Sequence, residues 1–172
     1  MTTTTPEIQA YGTVENRPIS LDHKVRLTNV TKLNQLLADT MTIRDLYKKH
    51  HWQVSGPAFY QLHLLFDKHY GEQVELVDAL AERVQTLGGV AIAMAPDVAE
   101  ATRIARPPRG REDAATQLFR LAQAHEFILG EAREAAETAS KNGDDGTNDL
   151  LVSSVIRVNE FQAWFINEQS KT

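Results

Sequence analysis

Two histidines stand twelve positions apart in the stretch KHHWQVSGPAFYQLHLLFD, which runs from Lys49 to Asp67. They are His51 and His63, with Ser-Gly-Pro at 55–57 between them. Imidazole nitrogens bind iron and zinc. On one unbroken helix the two rings would lie about 18 Å apart, too far to share an ion. Gly56-Pro57 removes that obstacle, because Pro disfavours helix in the residue before it and Gly relaxes the turn. In a helical hairpin bent near residue 56, both histidines would stand roughly 8–10 Å from the bend, on adjacent helices. Two imidazoles could then face one space.

Asp67 follows His63 by four and shares its helix face. Asp78 and Glu82 are again four apart. That second pair is about 22 Å along the helix from His63, so it cannot complete the same site within one chain. It can do so between two chains. If two copies of this helix pack antiparallel around a two-fold axis, His63 meets Asp78 or Glu82 when the crossing falls near residues 71 to 73. Gly71 sits there, and its missing side chain permits close approach. The expectation is two identical sites per dimer, each with His51, His63 and Asp67 from one chain and Asp78 and Glu82 from the other. Such mixed donors suit iron or zinc, and open positions suit iron redox chemistry. Any one of these residues alone reads as an ordinary helix-surface polar group. The five together, with the turn and both four-residue spacings, are far more specific.

The elements that must hold them read as helices. Ser20 is a plausible N-cap with Asp22 in the first turn, and Val30, Leu33, Leu37 and Met41 repeat at helical spacing. This first helix is expected to end near residue 54. A second starts near Pro57 at its first position, carries Leu62, Leu65, Phe66, Leu76, Leu80, Val84 and Leu87 inward, and stops at Gly88-Gly89. A short helix fits 96–105. A third long helix fits 111–141, with Leu118, Leu121, Ile128 and Leu129 inward and Gly143 as its C-cap. A fourth fits 147–168, with Thr147 as N-cap and Leu151, Val155, Val158, Phe161 and Phe165 inward. No period-two alternation is long enough for a convincing strand. The fold class is all-α: a ferritin-like four-helix bundle with a short extra helix between helices two and three. Residues 1–19, Thr-rich with two prolines, form a flexible or loosely docked tail, and 20–172 form one domain.

Composition narrows the chemistry further. The 172 residues suit one domain with a real core, and 42% apolar and 24% charged content is ordinary for a soluble globular protein. With no cysteine, disulfides, zinc fingers, Fe–S clusters and thiol catalysis are excluded. No apolar run approaches the roughly 20 residues that span a bilayer. The start, MTTTTPEIQAYG, lacks the pattern of a secretory signal. A cytoplasmic protein is expected, with no membrane partner. Net charge is −5, so any nucleic-acid contact would need a local basic segment.

The run HHWQVSGPAFYQLHLLFDKHY followed by DALAER resembles the Dps family, the DNA-binding proteins from starved cells, or mini-ferritins. The pattern matches without a gap, and the resemblance extends from about residue 20 to 168. It implies His51, His63 and Asp67 as ligands from one subunit, with Asp78 and Glu82 from the two-fold partner. It implies that Trp52 relays electrons near the site and that Lys48 pairs with the site carboxylate. It also implies a homo-oligomer, a hollow dodecamer that oxidises Fe(II), preferably with hydrogen peroxide, and stores the ferric mineral. Zinc is a possible substitute for iron. Ordinary ferritins use Glu-x-x-His within one bundle, and none of the six histidines here has a Glu three residues before it.

Asp144, Asp145 and Asp149 precede or open the fourth helix. They read either as caps that satisfy the helix dipole or, by the resemblance, as the lining of three-fold pores that draw in Fe(II). His50, about 100° around the helix from His51, is expected at the surface or behind the site. His69 and His125 fall in apolar stripes and read as satisfied core or interface residues, while His23 has no evident partner. The rival function is a nucleoid-associated, DNA-protecting protein with little or no ferroxidase role. Against it, the tail has no lysine, and twelve copies at −5 give a shell near about −60, which repels phosphate.

Overall fold

The computed structural model describes residues 6–171. Four helical rods form the bundle. The first two are α1 (His23–Gln53) and α2 (Phe59–Thr86), and the third is α4 (Ala114–Lys141). The fourth is a continuous run of α5 (Asp145–Leu150), a π-helical segment (Leu151–Ile156) and α6 (Arg157–Gln169). The short α3 (Ala95–Ala101) lies in the crossover between α2 and α4 and packs on α1. The architecture is the all-α bundle expected. Among the described residues there is no strand.

The helix ends differ in instructive ways from the sequence expectations. Asp22, not Ser20, caps α1 by accepting from the Lys24 amide at 2.8 Å. Ser20 itself sits at φ +55 in the preceding turn. Pro57 lies in the hairpin turn rather than at the first helical position, because Gly56 at φ +101 turns the chain and α2 begins only at Phe59. Asp144, not Thr147, is the cap of α5, and both the Thr147 amide and its hydroxyl donate to it.

The core is a continuous apolar cluster that includes Val30, Leu33, Leu37, Phe66, Leu80, Leu121, Ile128 and Leu151. Residues 9–19 are docked rather than free: the Gln9 side chain and the Glu15 amide donate to the Gly88 carbonyl at 2.8 and 2.9 Å. Buried Arg26 donates to the carbonyls of Glu15 and Leu87. Gly88 is required there, since its φ is +87 and a Cβ would approach the Glu15 carbonyl to 2.5 Å. Residues 1–5 of the expected tail lie outside the described residues.

The π segment changes which residues face inward. It inserts one extra residue, so everything beyond it is rotated by about 100° relative to an unbroken α-helix. Phe161 is therefore exposed, and Val158 and Phe165 are only partly buried. The neighbours one position on, Asn159, Gln162 and Ile166, take the core positions. Two amides thus enter the bundle.

They meet a buried polar network. His125 lies between Tyr47, 2.5 Å from its Nε2, and Asn159, 2.9 Å from its Nδ1. His69 Nδ1 approaches the Tyr47 hydroxyl at 3.2 Å. Gln73 donates to Asn159 and Gln162, and Gln162 donates to Glu72. His50 is also fully buried, which excludes the surface place and leaves it behind the histidine pair on α1. It continues the inward stripe of Ile43 and Tyr47, and neither ring nitrogen has a partner among the described residues. Burial, first among the causes, pushes His50 and His69 down to about 4 and His125 to about 3.

These three rings are neutral in the folded chain at a pH where the unfolded chain binds protons. Stability from them is complete above about pH 6.5 and is lost progressively as pH falls toward 4. Glu131, pushed up to about 7 by burial and by the neighbouring Asp39 carboxylate, acts in the opposite sense but with one proton against three. The thermal midpoint is expected to drop steadily between pH 6.5 and 4.5, by an amount worth several kcal/mol at about 1.4 kcal/mol per unit per group. A midpoint that stays flat across that window contradicts a neutral buried trio.

Candidate metal centre

The Gly56 turn brings His51 and His63 together as the spacing requires. Their rings stack at 3.8 Å between centroids and 20° between planes. Each Nδ1 lies against the other residue's backbone carbonyl, His51 Nδ1 to His63 O at 2.8 Å and His63 Nδ1 to His51 O at 2.9 Å. A carbonyl oxygen only accepts, so in each neutral ring the proton sits on Nδ1. The two Nε2 lone pairs are left for a metal, and a backbone partner of this kind fixes the tautomer and orientation of a ligating histidine. Phe59 closes one side of His63, with ring centroids 5.2 Å apart.

Asp67 stands one turn beyond His63 on α2, half-exposed, with Oδ1 3.8 Å from His51 Nδ1. Lys48 donates to that oxygen at 2.5 Å. This hydrogen bond, followed by the charges around it, holds the Asp67 carboxyl below the usual carboxylate range. Asp67 is thus an ionised oxygen donor beside two nitrogen donors. Lys48 is its tether, and a cation entering the site would compete with that lysine. Trp52 projects from the end of α1 with 69% exposure, adjoining the histidine pair in sequence.

Asp78 and Glu82 share an exposed face of α2, about 22 Å and more along the helix from His63. Among the described residues, no group of three His, Cys, Asp or Glu side chains forms a metal-binding set within one chain. The structure stacks His51 on His63 and places Asp67 Oδ1 3.8 Å from His51 Nδ1 without converging the three as a closed metal set, and it leaves Asp78 and Glu82 further along α2. The α2 face that carries Asp67, Asp78 and Glu82 also bears Tyr60, Leu64 and Val74, each exposed. Gly71 lies in its middle, and a Cβ there would meet nothing of its own chain within 4 Å.

Of the three aspartates at the start of the fourth rod, Asp144 is not available to a pore. It is buried, and its oxygens take hydrogen bonds from Arg83 at 2.5 Å, Asn29 at 2.7 Å and Thr147. Burial raises its carboxyl, but these bonds and the Arg83 charge prevail and hold it below the usual range. Its role is the cap and the α1–α2–α5 junction. Asp145 and Asp149 are exposed, and Asp149 accepts from Ser153 at 2.7 Å. His23 opens α1 and is exposed. His125 is a satisfied core residue as expected, whereas His69 Nε2 has no partner among the described residues. Sequence reading missed Arg83 and Asn29, whose only signal was their inward position on helices that converge at Asp144.

Comparison with known proteins agrees with the fold. The family model for the ferritin-like domain matches residues 30–172. DpsC from Streptomyces coelicolor is 54% identical, with 97% of each chain covered and a TM-score of 0.96. DNA protection during starvation protein 2 of Bacillus anthracis is 30% identical over 134 residues, covering 78% of this chain and 90% of the relative. The DPS protein of Vibrio cholerae O1 is described as a member of a broad superfamily of ferritin-like diiron-carboxylate proteins. It is 28% identical over 95% of this chain and 99% of its own, with a TM-score of 0.85. The chain therefore belongs to the ferritin-like proteins, in their Dps branch.

Proposed function

We propose that this chain is a ferroxidase subunit of an iron-storing shell, with Fe(II) as its substrate. One observation carries the reading: two stacked imidazoles, each with Nδ1 held on the other residue's backbone carbonyl so that Nε2 is the nitrogen left for a metal, beside the ionised Asp67. An antiparallel two-fold pairing of α2 about Gly71 would bring Asp78 and Glu82 of a second copy to that half-site. The exposed stripe of Tyr60, Leu64 and Val74 supports such a pairing, since these side chains gain burial from it. Each site would then have two nitrogen donors and three carboxylates, a set suited to iron, with zinc as a competing ion. Two Fe(II) supply the two electrons that reduce one hydrogen peroxide to two waters, with two protons taken from solvent. Peroxide is the preferred oxidant in this reading, and the ferric product is stored within a cytoplasmic dodecamer. Asp145 and Asp149, on an exposed helix start, are the candidates for an iron entry path. Trp52, exposed beside the pair, is the candidate electron relay.

The second reading, DNA protection, draws on the name of the Bacillus relative. The charge of −5 per chain and the docking of residues 9–19 against the α2 end weigh against it.

The double variant His51→Ala/His63→Ala, in shells shown intact by light scattering, is expected to lose peroxide-driven Fe(II) oxidation by at least about tenfold, or about 1.4 kcal/mol in barrier. Unchanged oxidation in an intact variant shell sinks the site assignment. Gly71→Leu is expected to weaken the two-fold pairing, read as dissociation to smaller species by analytical ultracentrifugation. An unaltered shell would place the two-fold crossing elsewhere. A native protein that oxidises no Fe(II) but shifts duplex DNA in a gel would favour the second reading.

A further inference from the structure

The end of the crossover is tied to the bundle through one buried carboxylate. Asp39, on α1, is fully buried. Its Oδ1 accepts from the Thr102 hydroxyl and from the Arg103 amide, both at 2.7 Å, and its Oδ2 accepts from the Gln35 side chain at 2.8 Å. The Thr102 hydroxyl oxygen accepts in turn from the Ile104 amide at 3.3 Å, and Gln35 also donates to the Ala101 carbonyl at 3.0 Å. Asp39 thus gathers residues 101–104, where the chain leaves α3 for α4, and it does so purely as an acceptor.

A second carboxylate stands against it. Glu131, on α4, accepts through Oε1 from Arg103 Nη1 at 2.8 Å. Its other oxygen, Oε2, is buried and meets no donor among the described residues. The charged groups around the pair do not answer that oxygen. The Arg103 side chain is 60% exposed and meets Oε1, while Lys32 of α1 donates to Glu134, one turn further along α4, at 2.6 Å. Two ionised carboxylates side by side repel, and a buried acceptor without a donor is costly. One proton on Glu131 Oε2, donated to Asp39, removes both faults. A groove of about 490 Å³ between α1 and α4, lined by Lys32, Gln35, Arg103, Glu131 and Glu134, brings solvent to the pair.

We infer that Glu131 and Asp39 share one proton, and that this proton is the latch of the crossover: while it is bound, residues 102–104 are pinned to α1 and α4, and when base removes it they are released. Relief of the resulting repulsion requires water to enter between the two carboxylates. The α1 and α4 rods are held by the apolar core, whereas residues 102–113 belong to no helix, so it is the crossover that yields. Burial, then the bond and charge of Asp39, push Glu131 up to about 7 from an ordinary 4.5, against the weaker opposing pull of Arg103. A carboxyl raised on closing contributes stability that is complete below 4.5 and is lost as pH rises through about 7. The buried histidines act in the opposite direction and at lower pH, so the two effects separate. With the open glutamate at its ordinary value, the ratio of open to closed crossover is expected to rise roughly tenfold between pH 6 and pH 8. This inference is independent of the ferroxidase reading.

The test is amide hydrogen exchange of the full chain at pH 6 and pH 8, each corrected for the chemical exchange rate at that pH and read on peptides covering residues 102–104. In native protein the corrected exchange of this segment is expected to rise roughly tenfold at pH 8, with the core of α1 and α4 unchanged. Glu131→Gln keeps an acceptor for Arg103 and supplies a permanent donor to Asp39. In that variant the rise is expected to vanish, and the segment at pH 8 to exchange more slowly than in native protein. Infrared spectra of native protein supply a second readout that needs no variant: the carbonyl band of a protonated carboxyl, present at pH 6 and gone by pH 8, with its midpoint near 7. Equal corrected exchange at the two pH values, a rise that persists in Glu131→Gln, or the lack of a protonated carboxyl band at pH 6 overturns the inference.

Discussion

The structure turns on a reciprocal pair of hydrogen bonds across one tight bend. His51 and His63 each give their Nδ1 proton to the other's backbone carbonyl, so each ring is held by the helix opposite. A hydrogen bond of this type contributes about 0.5–1.5 kcal/mol net, a modest sum for two. Its larger effect is directional. It sets the distance between α1 and α2 at the bend, stacks the rings, and aims both Nε2 lone pairs away from the backbone. Gly56 at φ +101 makes the bend short enough for this exchange, and the buried Val54, which donates to the His50 carbonyl at 2.8 Å, closes the end of α1.

The same arrangement explains why the carboxylates are distributed as they are. Three acidic side chains packed into one chain's core would repel one another and lose hydration. Here Asp67 is half-exposed and answered by Lys48, while Asp78 and Glu82 stay in water at the other half of α2. Each chain can fold without meeting the cost of an unfilled anionic site. The site would close only when two copies of α2 meet, and a cation would then offset the assembled charge. In the proposed site, assembly and metal affinity would be coupled, since either one would favour the other.

What could be read from the sequence follows the range of the interactions involved. The hairpin, the bundle and the approach of His51, His63 and Asp67 depend on helical spacing and one Gly-Pro turn, all local. The inward faces of α1, α2 and α4 followed their apolar stripes for the same reason. The fourth rod did not, because a single inserted residue in Leu151–Ile156 leaves no mark on a 3.6-residue pattern yet moves every later side chain by one place. Phe161 and Phe165 read as core on an unbroken helix, whereas Asn159 and Gln162 take the buried places. His50 was legible in principle, being on the stripe of Ile43 and Tyr47, but the neighbouring His51 drew its reading toward the site. Asp144 needed Arg83 and Asn29, which are 61 and 115 residues away in sequence. No local rule supplies such partners.

The central claim is that one iron site is built by two chains. Anomalous diffraction at the iron edge from crystals soaked anaerobically in Fe(II) tests it most directly. The expected map has its peaks at the two-fold interface, within coordination distance of His51 Nε2, His63 Nε2 and Asp67 of one subunit and of Asp78 and Glu82 of the other. Iron found inside a single bundle among the buried groups of α1, α2 and α4, with the interface empty, would contradict it.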